Sequence, residues 1–205
     1  VLSKAQGVSG NLTRSVSTAF PVEPAISGNG CFFGTRTNSP LRFYTNDGGA
    51  DASLLTDGTF EVRVLRILGG ADIVEGFDST EALEPGTVVV IDAINAGELI
   101  ASSEAYDRKV AGIVSGANGV NPGLHLGQDG VLDGEFPVAM SGRVWVKAST
   151  ENGAIAPGDL LTTAALAGHA MRATDDARAN GAVIGKAMSA LDADAGLVLV
   201  LVNLQ

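Results

Sequence analysis

Glu84-Pro85-Gly86-Thr87-Val88-Val89-Val90 is echoed, in kind rather than letter for letter, by Ala156-Pro157-Gly158-Asp159-Leu160-Leu161-Thr162. Each stretch runs through alanine-containing sequence to a glycine, Gly97 or Gly168, and continues as Glu98-Leu99-Ile100-Ala101 or His169-Ala170-Met171-Arg172-Ala173. A polar loop follows, residues 102–109 in the first copy and 174–180 in the second. An apolar run with an internal glycine closes each copy: Val110-Ala111-Gly112-Ile113-Val114 and Ala182-Val183-Ile184-Gly185-Lys186. Proline to closing glycine is 27 residues in one copy and 28 in the other. Turn formers and apolar runs that agree over such a length mark an internal repeat.

The apolar runs are short, rich in Val and Ile, and bounded by turn formers, so each copy reads as strand, turn, short strand, surface loop, strand. One copy has too little apolar surface for its own core, whereas two facing copies share one. Phe136 to Lys147 joins them, with Val144 and Val146 alternating against Arg143, Trp145 and Lys147. The run Leu197 to Leu204 suits a central or closing strand. Residues 71–205 are therefore expected to form one mostly antiparallel β domain with pseudo-duplicate halves, and the whole chain to be all-β.

Working outward, the chain changes character at Ile67-Leu68-Gly69-Gly70-Ala71-Asp72-Ile73-Val74-Glu75-Gly76-Phe77-Asp78, where residues 67–70 read as a glycine hinge. Upstream, residues 1–66 read as a fibre-like β segment. Pro21, Pro24 and Pro40 exclude a long helix, and apolar residues come singly or in pairs. Strands are expected over residues 41–45, 53–55 and 59–65, with turns at 46–49 and at Asp57-Gly58. In the last strand Phe60, Val62 and Val64 alternate with Glu61, Arg63 and Leu65, which predicts a half-buried meander. So few strands cannot offset roughly 1–2 kcal/mol of backbone entropy per residue, so the segment needs partners. The simplest partner is another copy of the chain.

Thirteen basic against 23 acidic side chains give a net charge of −10, which repels phosphate backbones and anionic lipid and argues against nucleic acid as a partner. The 27 glycines in 205 residues are about twice ordinary usage, as a turn-dense β protein requires. The single cysteine, Cys31, forms no internal bridge, and no apolar run reaches the roughly 18–20 residues that span a bilayer. The chain starts at Val1 without a methionine, so it is expected to be a piece of something longer, with the rest of a fibre or baseplate before Val1.

Two sets of stretches each carry a family resemblance. Asn38-Ser39-Pro40-Leu41-Arg42-Phe43-Tyr44-Thr45-Asn46 with Leu55-Thr56-Asp57-Gly58-Thr59-Phe60 resembles the shafts of bacteriophage tail fibres, which implies an elongated homotrimer. Ala71-Asp72-Ile73-Val74-Glu75-Gly76-Phe77, Val110-Ala111-Gly112-Ile113-Val114-Ser115 and Gly142-Arg143-Val144-Trp145-Val146-Lys147, with Pro157-Gly158-Asp159 after it, resemble the C-terminal intramolecular chaperone of phage appendages and tailspikes, the peptidase G2 type. The resemblance implies a domain that helps three chains fold in register. It also implies self-cleavage between Ala71 and Asp72, with Asp72 and Glu75 as the reacting carboxylates. This chain departs from the family's pattern: Val74 stands where the family has Ala, and Ala71 where it has a hydroxyl residue. Any cut would then depend on carboxylates alone.

Weighed against this, Asp72 and Glu75 read more readily as solvated acids at a domain entrance than as a reacting pair. His125 and His169 lie in different segments without cysteine neighbours, so neither a metal site nor a cofactor is expected. Asp129-Gly130 and Asp133-Gly134 lack the rest of a calcium loop and read as turns. Ser115 and Ser141 lack a G-x-S-x-G context, which argues against a hydrolase. Trp145 reads as core or interface, and Tyr106 with Asp107 as the better of two weak carbohydrate contacts. The expectation is a structural module of a trimeric phage-like fibre, spike or injection appendage, on a virion or outside a cell. Two alternatives stand beside it: an autoproteolytic chaperone and a module that binds cell-surface glycans.

Overall fold

A computed structural model describes residues 38–45 and 49–204, and the chain divides into two units between Arg66 and Ile67. The tip of the first expected turn, residues 46–48, lies outside the described residues, as do Pro21, Pro24 and Cys31.

In the first unit, β1 (Leu41–Phe43), β2 (Ala52–Leu54) and β3 (Phe60–Val62) form an antiparallel sheet in that order. The Asp57-Gly58 turn joins β2 to β3. Asp57 Oδ1 accepts the Thr59 N–H at 2.9 Å, and Gly58 sits at φ 89°, open to glycine at no steric cost. The register is level across all three strands. Leu41, Leu54 and Phe60 form one row, Arg42, Ser53 and Glu61 the next, Phe43, Ala52 and Val62 the third. Because side chains alternate, the outer rows share one face and the middle row takes the other. The expectation of a half-buried meander is not met. β3 stops at Val62, and Phe43, Leu54, Phe60 and Val62 all remain exposed, Phe60 by 54%.

The second unit carries a sheet of ten strands. They are β4 (Asp72–Phe77), β5 (Val88–Ile91), β6 (Leu99–Ala101), β7 (Val110–Val114), β8 (Leu124–Leu126), β9 (Phe136–Ser149), β10 (Leu160–Thr163), β11 (Ala170–Arg172), β12 (Val183–Ala187) and β13 (Ala195–Asn203). The main path runs β11-β10-β12-β13-β9-β7-β5-β6, and β4 pairs with both β9 and β8. A parallel bridge from Ala170 to Ala148 joins β11 to β9, closing β11, β10, β12, β13 and β9 into a ring of five. Among the described residues no helix is long and apolar enough to cross a membrane.

The path is a palindrome of the repeat. Reading inward from either end, β6 matches β11, β5 matches β10, β7 matches β12, and β9 faces β13 at the centre. The turns agree in detail. Thr87 N donates to Glu84 O and Asp159 N to Ala156 O, each at 3.1 Å, with Gly86 at φ 87° and Gly158 at φ 97°. Proline second and a positive-φ glycine third is the arrangement of a type II turn. The irregularities agree too. Val89 faces Gly112 and Val90 faces Val110, while Leu161 faces Gly185 and Thr162 faces Val183, so each copy bulges at one residue, Ala111 or Ile184. The copies differ in the polar loop. In the second it contains α1 (Asp176–Ala179), a single turn capped by Asp175, whose Oδ1 accepts the N–H groups of Ala177 and Arg178 at 3.0 and 3.1 Å.

β13 and β9 pair from Ala195–Ser149 to Asn203–Ser141. Val144 and Val146 face the fully buried Val198 and Val200, so the C-terminal apolar run is a central strand between β12 and β9. Each such valine contributes roughly 1.5–3 kcal/mol on burial. Around them Val88, Ile113, Leu161 and Ile184 from both copies complete one shared cluster. A second cluster gathers Tyr106, Ala164, Met171 and Ala179, and a third Leu83, Val89, Leu99, Val114 and Val138.

Candidate functional site

Ala71 and Asp72 lie where β4 begins, and three separate segments close on them. Asp72 is 3% exposed. Its Oδ2 accepts the Ser115 hydroxyl at 2.6 Å, and its Oδ1 accepts the Gly123 N–H at 3.3 Å. The same Gly123 N–H reaches the Asp72 carbonyl at 2.9 Å. The Ala71 carbonyl accepts the Arg143 N–H at 3.2 Å, and the Ala71 N–H donates to Asn121 O at 3.3 Å. Ser115 follows β7 directly, and its own N–H donates to Pro137 O on β9 at 2.8 Å.

Glycines make this closure sterically feasible. A Cβ at Gly142, which sits at φ 104°, would stand 2.6 Å from Ala71 O, and one at Gly123 would stand 3.0 Å from Asp72 O. Gly70 is packed against the backbone of Asn121 and Pro122 with no room for a side chain, whereas Gly69 faces open space. The two glycines that read alike in sequence thus do different things, one clamped and one free.

The two acids singled out in the sequence are not brought together. β4 alternates, with Asp72 and Val74 buried and Ile73 exposed, so Glu75 falls on the opposite face from Asp72. Glu75 instead lines an open cavity of about 690 Å³ together with Phe77, Asp78, Glu98, Gln128 and Asp133. Among the described residues no group of three or more His, Cys, Asp or Glu is arranged to hold a metal ion.

What the Asp72 arrangement does chemically is hold. A buried carboxylate that accepts a hydroxyl at 2.6 Å on one oxygen and an amide N–H at 3.3 Å on the other has a partner on each oxygen, and the short bond from Ser115 is of the charge-assisted kind. The sequence offered Ser115 only as a nucleophile without context and gave Gly123 and Gly142 no role. No local pattern links residue 72 to 115, 123 and 142, since their meeting depends on how β4 lies between β9 and β8 and on how β7 lies along β9.

A second polar knot lies around Tyr106, in the first polar loop. Its hydroxyl oxygen receives the N–H groups of Thr174 at 2.9 Å and Asp175 at 3.1 Å and the Asn152 side chain at 3.1 Å. The Arg178 guanidinium covers its ring at 4.3 Å from the centroid. Burial pushes the phenol up, but the bonds from the Thr174 side chain and the Thr174 and Asp175 backbone outweigh it and bring the phenol below its ordinary value. Tyr106 and Asp107 are both 8% exposed, so the pair offered as a carbohydrate contact is core rather than surface. Of the histidines, His169 places its Nδ1 2.7 Å from Ala167 O across the glycine turn of the second copy, and His125 lies exposed on β8.

The all-β fold, its duplicated architecture and a knot that pins the start of β4 define a β-rich structural module. Residues 59–202 match the family described as XM1 gp53 minor capsid protein, and the chain belongs to that family. It is a phage structural protein of the virion. No curated protein matches the chain in sequence.

Proposed function

We propose that this protein is a structural module of a trimeric virion part, a fibre, spike or similar appendage, in which the second unit helps three chains fold and stay in register. The observation that carries the reading is the division of labour between the units. Among the described residues, all three apolar core clusters are drawn from residues 74–202, while the meander leaves Phe43, Leu54, Phe60 and Val62 exposed. Exposed apolar side chains gathered on one face mark an interaction surface. A three-stranded sheet of this size takes its stability from what covers that face. Light scattering of the purified chain at micromolar concentration is expected to give three times the chain mass; a monomer would overturn the reading.

The buried Asp72 supports an intact chain rather than a cut. Its carboxylate is engaged by Ser115 and Gly123, and Glu75 stands on the other face of the strand. Denaturing mass spectrometry is expected to show one full-length species. Two fragments, one ending at Ala71 and one starting at Asp72, both abolished by Glu75→Gln, would establish the autoproteolytic alternative instead.

A further inference from the structure

The first unit carries on its two edges the pieces of a seam. β1 and β3 are the outer strands of the three-stranded sheet, and Arg42 and Glu61 are their central residues. Both are exposed, neither takes part in an ion pair among the described residues, and both lie level with Ser53 on the middle strand. The opposite face is apolar in two level rows, Leu41-Leu54-Phe60 and Phe43-Ala52-Val62. Rotation about an axis parallel to the strands preserves height. Such a ring therefore sets Arg42 of one copy beside Glu61 of the next only if the two already stand at the same level, and the register puts them there.

We infer that the meanders of neighbouring copies close head to tail around such an axis, with the apolar rows turned inward as closed layers and an Arg42–Glu61 pair across every seam. This rests on the trimer reading above and adds the arrangement of the copies. Opposite charge at equal height on two edges that carry no further strand among the described residues is what selects a second copy as the occupant of the apolar face. A self-complementary pair also fixes the sense of the ring, since a head-to-head meeting of edges would oppose Arg42 to Arg42 or Glu61 to Glu61.

The test uses the full chain and native mass spectrometry across a concentration series. Arg42→Glu and Glu61→Arg each place like charges at every seam and are expected to weaken trimer formation about tenfold, because the effect repeats around the ring. The double swap, Arg42→Glu with Glu61→Arg, is expected to return the affinity to within about threefold of wild type. Single swaps that leave association unchanged, or a double swap as weak as either single, would overturn the seam while the trimer stands. A monomeric wild-type chain whose β1 and β3 amides resist hydrogen exchange would overturn both, because the apolar face would then be covered from within the same chain.

Discussion

Single residues in this protein are constrained mainly by how closely backbones approach. Gly112 and Gly185 occupy equivalent places in the two copies, and both face a neighbouring strand's carbonyl. A Cβ at Gly112 would stand 2.6 Å from Ala139 O and 2.7 Å from Val138 Cγ1, and one at Gly185 would press on Leu201 O. Neither obstacle is the far end of a flexible side chain at the carbonyl, so the strands must part. Gly112→Ala and Gly185→Ala are each expected to destabilise the second unit by about 1–3 kcal/mol, read as a lower midpoint in thermal unfolding. Charge acts more weakly and at the surface. The hydrogen bond from Lys147, and then its charge, hold Glu84 below its ordinary carboxylate range, with Lys147 Nζ at 2.7 Å from Oε2. A carboxyl whose folded pKa is depressed contributes stability that is present above its unfolded value and lost as pH falls through the folded one. Wild type is accordingly expected to unfold at a higher temperature than Glu84→Gln at neutral pH, with the gap closing as the pH drops below that of an ordinary glutamate; a gap that persists at acid pH would show that Lys147 acts on Glu84 by geometry alone.

At the scale of elements, the two polar loops that looked equivalent in the repeat are tied together by one side chain. Tyr106 stands at φ 61°, an uncommon angle for a large residue, and places its hydroxyl where the start of α1 needs an acceptor. Tyr106→Phe keeps the ring beneath Arg178 but leaves the Thr174, Asp175 and Asn152 donors without their oxygen. These bonds are only partly buried, so water replaces part of what is lost; the substitution is expected to cost about 1–2 kcal/mol and to speed amide exchange at Thr174 and Asp175. Because the folded phenol titrates below its unfolded value, the stabilisation by wild-type Tyr106 grows as pH rises through that range. The deficit of Tyr106→Phe is therefore expected to widen toward alkaline pH, which denaturant unfolding at two pH values would show.

For the whole molecule, the decisive fact is where the core lies. Among the described residues, the ring of β11, β10, β12, β13 and β9 and the three apolar clusters all fall after Ile67. A chain starting at Ile67 is expected to fold cooperatively as a monomer, with a single sharp transition in calorimetry. A broad or absent transition would mean that the first unit supplies part of the second unit's stability.

The β character, the repeat and the strand–turn–strand order within each copy were legible in the amino-acid text. Alternation, Pro-Gly turns and Val-rich runs are local signals, and here local and global preferences agree. Even the matching bulges have a local trace, a glycine at the same place in each closing run. Tertiary structure decided what depends on distant strands lying side by side. It placed Asp72 against Ser115 and Gly123 rather than Glu75, buried Tyr106 and Asp107, and left the meander's apolar face exposed. A spacing of three suggested an Asp72–Glu75 pair, but a strand repeats every two residues, so that spacing sends the second acid to the other face. The partners that Asp72 did acquire lie 43 and 51 residues away. The pairing of β9 with both β4 and β7 brings Ser115 within hydrogen-bond reach, and the parallel pairing of β4 with β8 brings Gly123.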